Sequence, residues 1–362
     1  MPEVWIPYGE VETLVSLEAE NLGVIVNPNA EKSSGETDRL SDRLKRAGRL
    51  YVCDSRPTTF ELLRELVAAA PPTEGLKVFG RDPKRLETAV PELKGKVNAP
   101  APPRGGEQYS EDLLSEGVKL FVGTARPDPF FGILDPKVVT CLNWVVGSGD
   151  AAAQGRKDIE PTPFEKTDAY DVMEGFASRI PGASFITVVP RSGKMRSALE
   201  DAPFDAIKNG FYSESVAPTR ALIVGAGGSG YDDTLSSALR SLWGALSCVR
   251  KSGEILVLAE CSQGLGSHAL EMVVTGRIGR EGGRRREKYV PGLEEVYYLQ
   301  RLKEDYDVLL LSGLPELYAK SKLGFTTAKG SGEALGRLLN RMGRTAKVNI
   351  VARASECRIT SA

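Results

Sequence analysis

One histidine, His268, occurs in 362 residues, and that scarcity removes whole classes of chemistry. A histidine-based metal site needs more than one imidazole, so the expectation is no metal held in that way, and neither HExxH nor a Ser-His-Asp order is present. The five cysteines, Cys53, Cys141, Cys248, Cys261 and Cys357, lie far apart and form no CxxC pair. Neither a zinc knuckle nor a disulfide framework is signalled, and a reducing cytoplasm is the expected setting. No apolar run approaches the roughly 18 residues of a membrane span, and the opening MPEVWIPYGEVETL lacks the basic-then-apolar order of a signal peptide. Net charge is −1, so overall electrostatics call for neither a nucleic-acid polymer nor an anionic membrane, and charge-driven binding has to be local. Glutamine is scarce beside arginine and glutamate, a bias found where ion-pair networks replace thermolabile amides, which points to a thermophile.

What is present is an ordinary globular composition, 41% hydrophobic and 26% charged, at a length that suggests two domains. Short runs rich in valine and isoleucine, at 22–27 (LGVIVN), 49–54 (RLYVCD), 76–80 (LKVFG), 118–123 (VKLFVG) and 184–190 (SFITVVP), alternate with longer amphipathic stretches. That alternation is the pattern of buried strands in an α/β sheet. Pro57–Ala70 carries leucines at helical spacing behind a proline suited to a first turn. A second series opens near Arg220: strand, Gly-rich loop, helix, Gly turn, strand. Its helix is expected to start near Asp232 and Asp233 and to end at Lys251 and Gly253. Further helices and strands follow, and the chain closes on a polar tail. The division predicted is 1–210 and 211–362, each domain a mixed or parallel sheet flanked by helices, the second Rossmann-like, with a cleft between them. Asn98–Gly106 is a Pro/Gly-rich loop.

Several segments could carry chemistry. Val224–Asp233 (VGAGGSGYDD) follows a strand and precedes a helix, as a dinucleotide loop does, but it departs from GxGxxG, and its paired aspartates would repel a phosphate. It is either a pyrophosphate cradle or a plain tight turn. Cys261–His268 (CSQGLGSH) places Gly264, Gly266 and His268 at the carboxyl edge of another strand, where α/β ligands bind. His268 there is a ligand contact or a surface residue opening a helix. Asp54-Ser55-Arg56-Pro57 reads as an anion site, a guanidinium beside a helix N-terminus, or as an aspartate cap with a surface arginine. The basic stretch 277–288 (RIGREGGRRREK) could grip phosphates, yet no aromatic residues are interleaved for base stacking, so nucleic acid is not the expected partner.

Taken in order, these segments resemble the nickel-dependent lactate racemase family over about residues 5 to 355. PYGE with LGVIVNPN is similar to its first hairpin, CDSRPTTFELL to its Asp-x-Thr-Arg-Pro turn, and the stretch from GGSGYDD to GLGS to the signature of its second domain. The resemblance implies a two-domain isomerase fold with a nickel-pincer nucleotide between the domains. It places the family's turn residues on Asp54 and Arg56, the cofactor lysine on Lys137, and the substrate-side helix residues on Ser237 and Arg240. Where the family has catalytic histidines this chain has Asp82 and Asp128, and none falls within Gly147–Gly155. The expectation is therefore a divergent member that binds a small anionic metabolite or nucleotide-like ligand in the cleft. Arg56, Lys137 and Arg240 would hold the anion, and Asp54 would orient Arg56. One alternative is an active 2-hydroxy-acid racemase or epimerase with Asp82 and Asp128 as acid and base; another is a regulatory or nucleic-acid-binding protein using 277–288.

Overall fold

The computed structural model describes residues 2–28, 37–71, 75–99, 107–155, 160–192, 195–279, 292–343 and 345–362. Two six-stranded sheets organise the chain. The first has the order Met195–Glu200, Ala183–Ser192, Lys119–Thr124, Arg49–Val52, Lys77–Gly80, Val97–Asn98, parallel except for its first strand. Alternation along each strand separates its faces. Leu50, Val52, Leu120 and Val122 join the core under helix Pro57–Ala69, while Tyr51, Phe121 and Phe185 point the other way. Register stacks those rings: Phe79, Tyr51, Phe121 and Phe185 sit on four adjacent strands with centroids 4.6 to 4.9 Å apart. Offset stacks of this kind add to burial and fix strand order on that face.

The second sheet, Thr326–Thr327, Asp307–Leu311, Val249–Leu258, Thr219–Gly225, Val348–Val351 and Leu22–Val26, is parallel throughout. One face packs on helices Leu235–Leu242, His268–Val274 and Leu293–Asp305, the other on helix Ser331–Met342 and the hairpin Glu3–Tyr8 with Val11–Ser16. The architecture is thus α/β, as the alternation implied, and its two sheets mark two lobes.

Three local expectations change. The run 22–27 does form a strand, but it pairs with Val348–Val351 in the second sheet, so the chain's first 28 residues lie with the later lobe rather than with 37–210. The helix anticipated from Asp232 to Lys251 spans only Leu235–Leu242, capped by Thr234, and a 3-10 turn, Trp243–Cys248, follows it. Lys251 and Gly253 lie inside the next strand, Val249–Leu258. The polar tail is also ordered, since Cys357–Ser361 pairs in parallel with Tyr212–Val216. Most of the loop 98–106 and residues 280–288 of the basic stretch fall outside the described residues. Among the described residues no helix is long and apolar enough to cross a membrane.

Candidate functional site

Two neighbouring parallel strands of the first sheet, Arg49–Val52 and Lys119–Thr124, end on the same edge, and each is followed within a few residues by an Arg-Pro pair. At the first of these, Asp54 is a hub. Its Oδ1 accepts from Arg56 N (3.0 Å) and Thr59 Oγ1 (2.8 Å), and its Oδ2 accepts from Thr124 N (2.6 Å) and lies 3.4 Å from Arg56 Nη1. Arg56, not Asp54, occupies the helix cap position, and it is buried, 6% exposed. The surface-arginine reading therefore does not hold. Across the lobe boundary the Arg56 guanidinium lies 5.5 Å from the centroid of the Tyr231 ring, within cation–π range.

The second pair supplies Arg126, from strand Arg126–Asp128. Its Nη1 donates to Ser237 Oγ at 3.3 Å, and its Nε is buried without a partner, as is the Nε of Arg56. Burial, with Arg56 and Arg240 nearby, holds the Arg126 guanidinium well below the usual arginine range. Sequence reasoning missed this residue; the available signal was the repeated Arg-Pro at a strand's carboxyl end. Arg240, one turn beyond Ser237 on helix Leu235–Leu242, donates to Asp128 of the first lobe and to Glu295 of the second. Asp128 is fully buried, and its other oxygen accepts from Phe130 N and Phe131 N, both at 2.8 Å. Burial and the neighbouring Glu295 push the adjacent Glu294 up to about 7. The cavity that Arg240 lines, with Ser236, Trp243, Glu295 and Tyr298, measures about 10 Å³, room for a single water.

The other expected residues lie apart from these arginines' contacts. Lys137 opens helix Pro136–Trp144, and its ammonium is bound inside the first lobe by Glu174 (3.0 Å) and the Ala202 carbonyl (3.1 Å). Asp82 is exposed and caps helix Pro83–Ala89 by accepting from Arg85 N at 3.0 Å. His268 begins helix His268–Val274 on the surface, 3.7 Å from Glu271. Gly264 and Gly266 belong to the loop beside helix Leu235–Leu242, where the Gly264 and Leu265 carbonyls accept from Leu235 N and Ser236 N, both at 3.0 Å. Those first-turn amides are what a pyrophosphate would use, and protein already occupies them.

The earlier glycine loop has a packing task. A Cβ on Gly230 would lie 2.8 Å from Pro57 Cδ, and its φ is +84°, so glycine lets the second lobe's backbone rest on the Arg56-Pro57 turn. Asp233 continues the contact through Arg85 at 2.8 Å, and Asp232 accepts from Gly9 N at 2.8 Å. These two aspartates bind lobe to lobe and hairpin to loop instead of starting a helix. A nickel-bearing nucleotide does not fit the residue set. Lys137 is engaged by Glu174, and the one imidazole is on the outer surface. Among the described residues no group of three or more His, Cys, Asp or Glu side chains could hold a metal ion.

Fold and site together define a two-lobed α/β protein with an arginine-lined seam between its lobes. The fold is similar to that of the lactate racemase apoprotein from Thermoanaerobacterium thermosaccharolyticum, with a TM-score of 0.68 at 15% identity, covering 99% of this chain and 100% of that one. It is also similar to a Thermotoga maritima protein solved by a structural genomics consortium, with a TM-score of 0.61 at 10% identity, covering 90% and 96%. No family model matches the sequence, and no curated protein does. At such identities the likeness establishes the fold.

Proposed function

We propose that this chain is a lactate-racemase-like protein with an altered site that binds a small anionic metabolite at the seam between its lobes. Arg126 and Arg56 would hold the anion, Arg240 would close the site, and Asp54 would orient Arg56. The observation that carries this reading is the Arg126 guanidinium: partly buried, its Nε enclosed without a partner, set near Arg56 and Arg240, and, among the described residues, hydrogen-bonded to the Ser237 hydroxyl. Asp128 and Asp54 offset part of the cost of enclosing this charge, and an anion placed against it would offset more. Lys137, expected among the anion ligands, is replaced in that role by Arg126. Asp82 and Asp128 take structural roles here, one as a helix cap and the other as the partner of Arg240 and two amides.

Calorimetric titration with lactate and with inorganic phosphate tests the reading, alongside native mass spectrometry of protein purified from its own organism. Saturable binding by the wild type that Arg126→Met abolishes is the expected result. Absence of binding by both anions, with no small anion retained in the native spectrum, would overturn it.

A further inference from the structure

The hydroxyl groups around Asp54 form a single chain whose direction follows from counting hydrogens. Thr59 Oγ1 donates to Asp54 Oδ1 at 2.8 Å, because an ionised carboxylate can only accept. Thr59 has no second hydrogen, so in its 2.7 Å contact with Thr124 Oγ1 the donor is Thr124. By the same count Thr58 donates to Thr124 (2.7 Å), and Tyr231 donates to Thr58 (3.1 Å). Four hydroxyls from both lobes thus point one way, from Tyr231 through Thr58, Thr124 and Thr59 to the carboxylate. The two ends of the chain meet again at one side chain: Asp54 faces the Arg56 guanidinium at 3.4 Å, and the Tyr231 ring packs on it at 5.5 Å.

We propose that Tyr231, Thr58, Thr124, Thr59 and Asp54 form a closed hydroxyl clamp that positions Arg56 across the lobe boundary, with Tyr231 and Thr124 as positioning residues. Each hydrogen bond polarises the next. The negative charge of Asp54 is therefore relayed to the phenol, whose ring becomes a better cation–π partner for Arg56. Neither Thr124 nor Thr58 touches Arg56, yet both set its orientation. Burial holds the Tyr231 hydroxyl above its ordinary range, so the phenol stays the donor that the direction requires. The inference rests on the anion-binding reading only for its effect on affinity; the clamp itself is a property of the free protein.

The test cuts the chain at its centre. In ¹⁵N spectra of the ligand-free wild type, the Arg56 Nε–H is expected as a distinct, slowly exchanging resonance. Thr124→Val, which keeps the volume and removes the hydroxyl, should lose that resonance to exchange, and Thr124→Ser should restore it. Thr58→Val, with Thr58→Ser as its control, repeats the test should the first variant not fold. Anion affinity is expected to fall roughly tenfold in the valine variants and to return in the serine ones. An Arg56 resonance as sharp and as protected in both valine variants as in the wild type overturns the clamp, whatever the binding result. A valine effect on the resonance without anion binding upholds the clamp and removes the binding role.

Discussion

Three arginines in one seam behave differently because their neighbours differ. Arg240 is matched by Asp128 and Glu295, so Arg240→Met leaves two buried carboxylates uncompensated and should cost roughly 3–5 kcal/mol in denaturant unfolding. Among the described residues Arg126 makes no ion pair, Asp128 and Asp54 acting on it from further away, and Arg126→Met should do the reverse in anion-free buffer, stabilising the protein by roughly 1–3 kcal/mol. A lowered unfolding midpoint for Arg126→Met would mean that Asp128 and Asp54 already neutralise it. Glu294 belongs to the same group of charges. Its folded value of about 7 lies above the ordinary 4.5, so the folded state holds a proton that the unfolded state releases between those values. Stability should therefore decline as pH rises from about 4.5 through 7 and then level. Glu294→Gln should flatten that slope in melting curves recorded between pH 5 and 8.

Helix Leu235–Leu242 shows which elements the sequence disclosed and which it did not. Strand positions were legible because valine and isoleucine runs leave little choice in a buried parallel sheet. The helix start was not, because Asp232 and Asp233 have the right chemistry for a cap and different employment. Their carboxylates are taken by Gly9 and Arg85, contacts made across the fold, and by the nearby Gly230 amide, and the cap falls to Thr234, whose Oγ1 accepts from Ser237 N at 3.2 Å. Thr234→Ala should lower stability by about 1 kcal/mol. Because that turn presents Ser237 to Arg126, anion binding should weaken with it. Asp54 and Arg56 could be picked out beforehand because acid, base and proline fall together. Arg126 was harder to single out, since its repeated Arg-Pro gains significance when two strand ends are brought side by side. Lys137 was assigned by resemblance alone, and Glu174, from a distant helix, determines where its ammonium goes.

At the scale of the molecule the lobes are held together by a compact set of contacts: Gly230 on Pro57, Asp233 with Arg85, Tyr231 with Thr58, and Arg240 with Asp128. With water-sized space beside Arg240, a ligand of several atoms would have to part them to reach it. Gly230→Ala, strained at its positive φ and pressed against Pro57, should hold the lobes ajar. We expect it to lower the thermal midpoint and raise the proteolytic sensitivity of the 226–234 loop, while each sheet keeps its far-ultraviolet signature.

The edge strand Leu22–Val26 carries one further consequence, for biosynthesis. Its partner, Val348–Val351, is made long after it, and Asn21 Nδ2 donates to the carbonyl of Ala346, 325 positions away. During translation the opening hairpin and this strand leave the ribosome before any surface exists for them to pair with, whereas the sheet formed from 49–200 can mature meanwhile. A nascent chain stalled before residue 340 should accordingly yield a protease-resistant fragment from 49–200 with Leu22–Val26 still cleavable, and protection of that strand should appear only once Val348–Val351 has emerged.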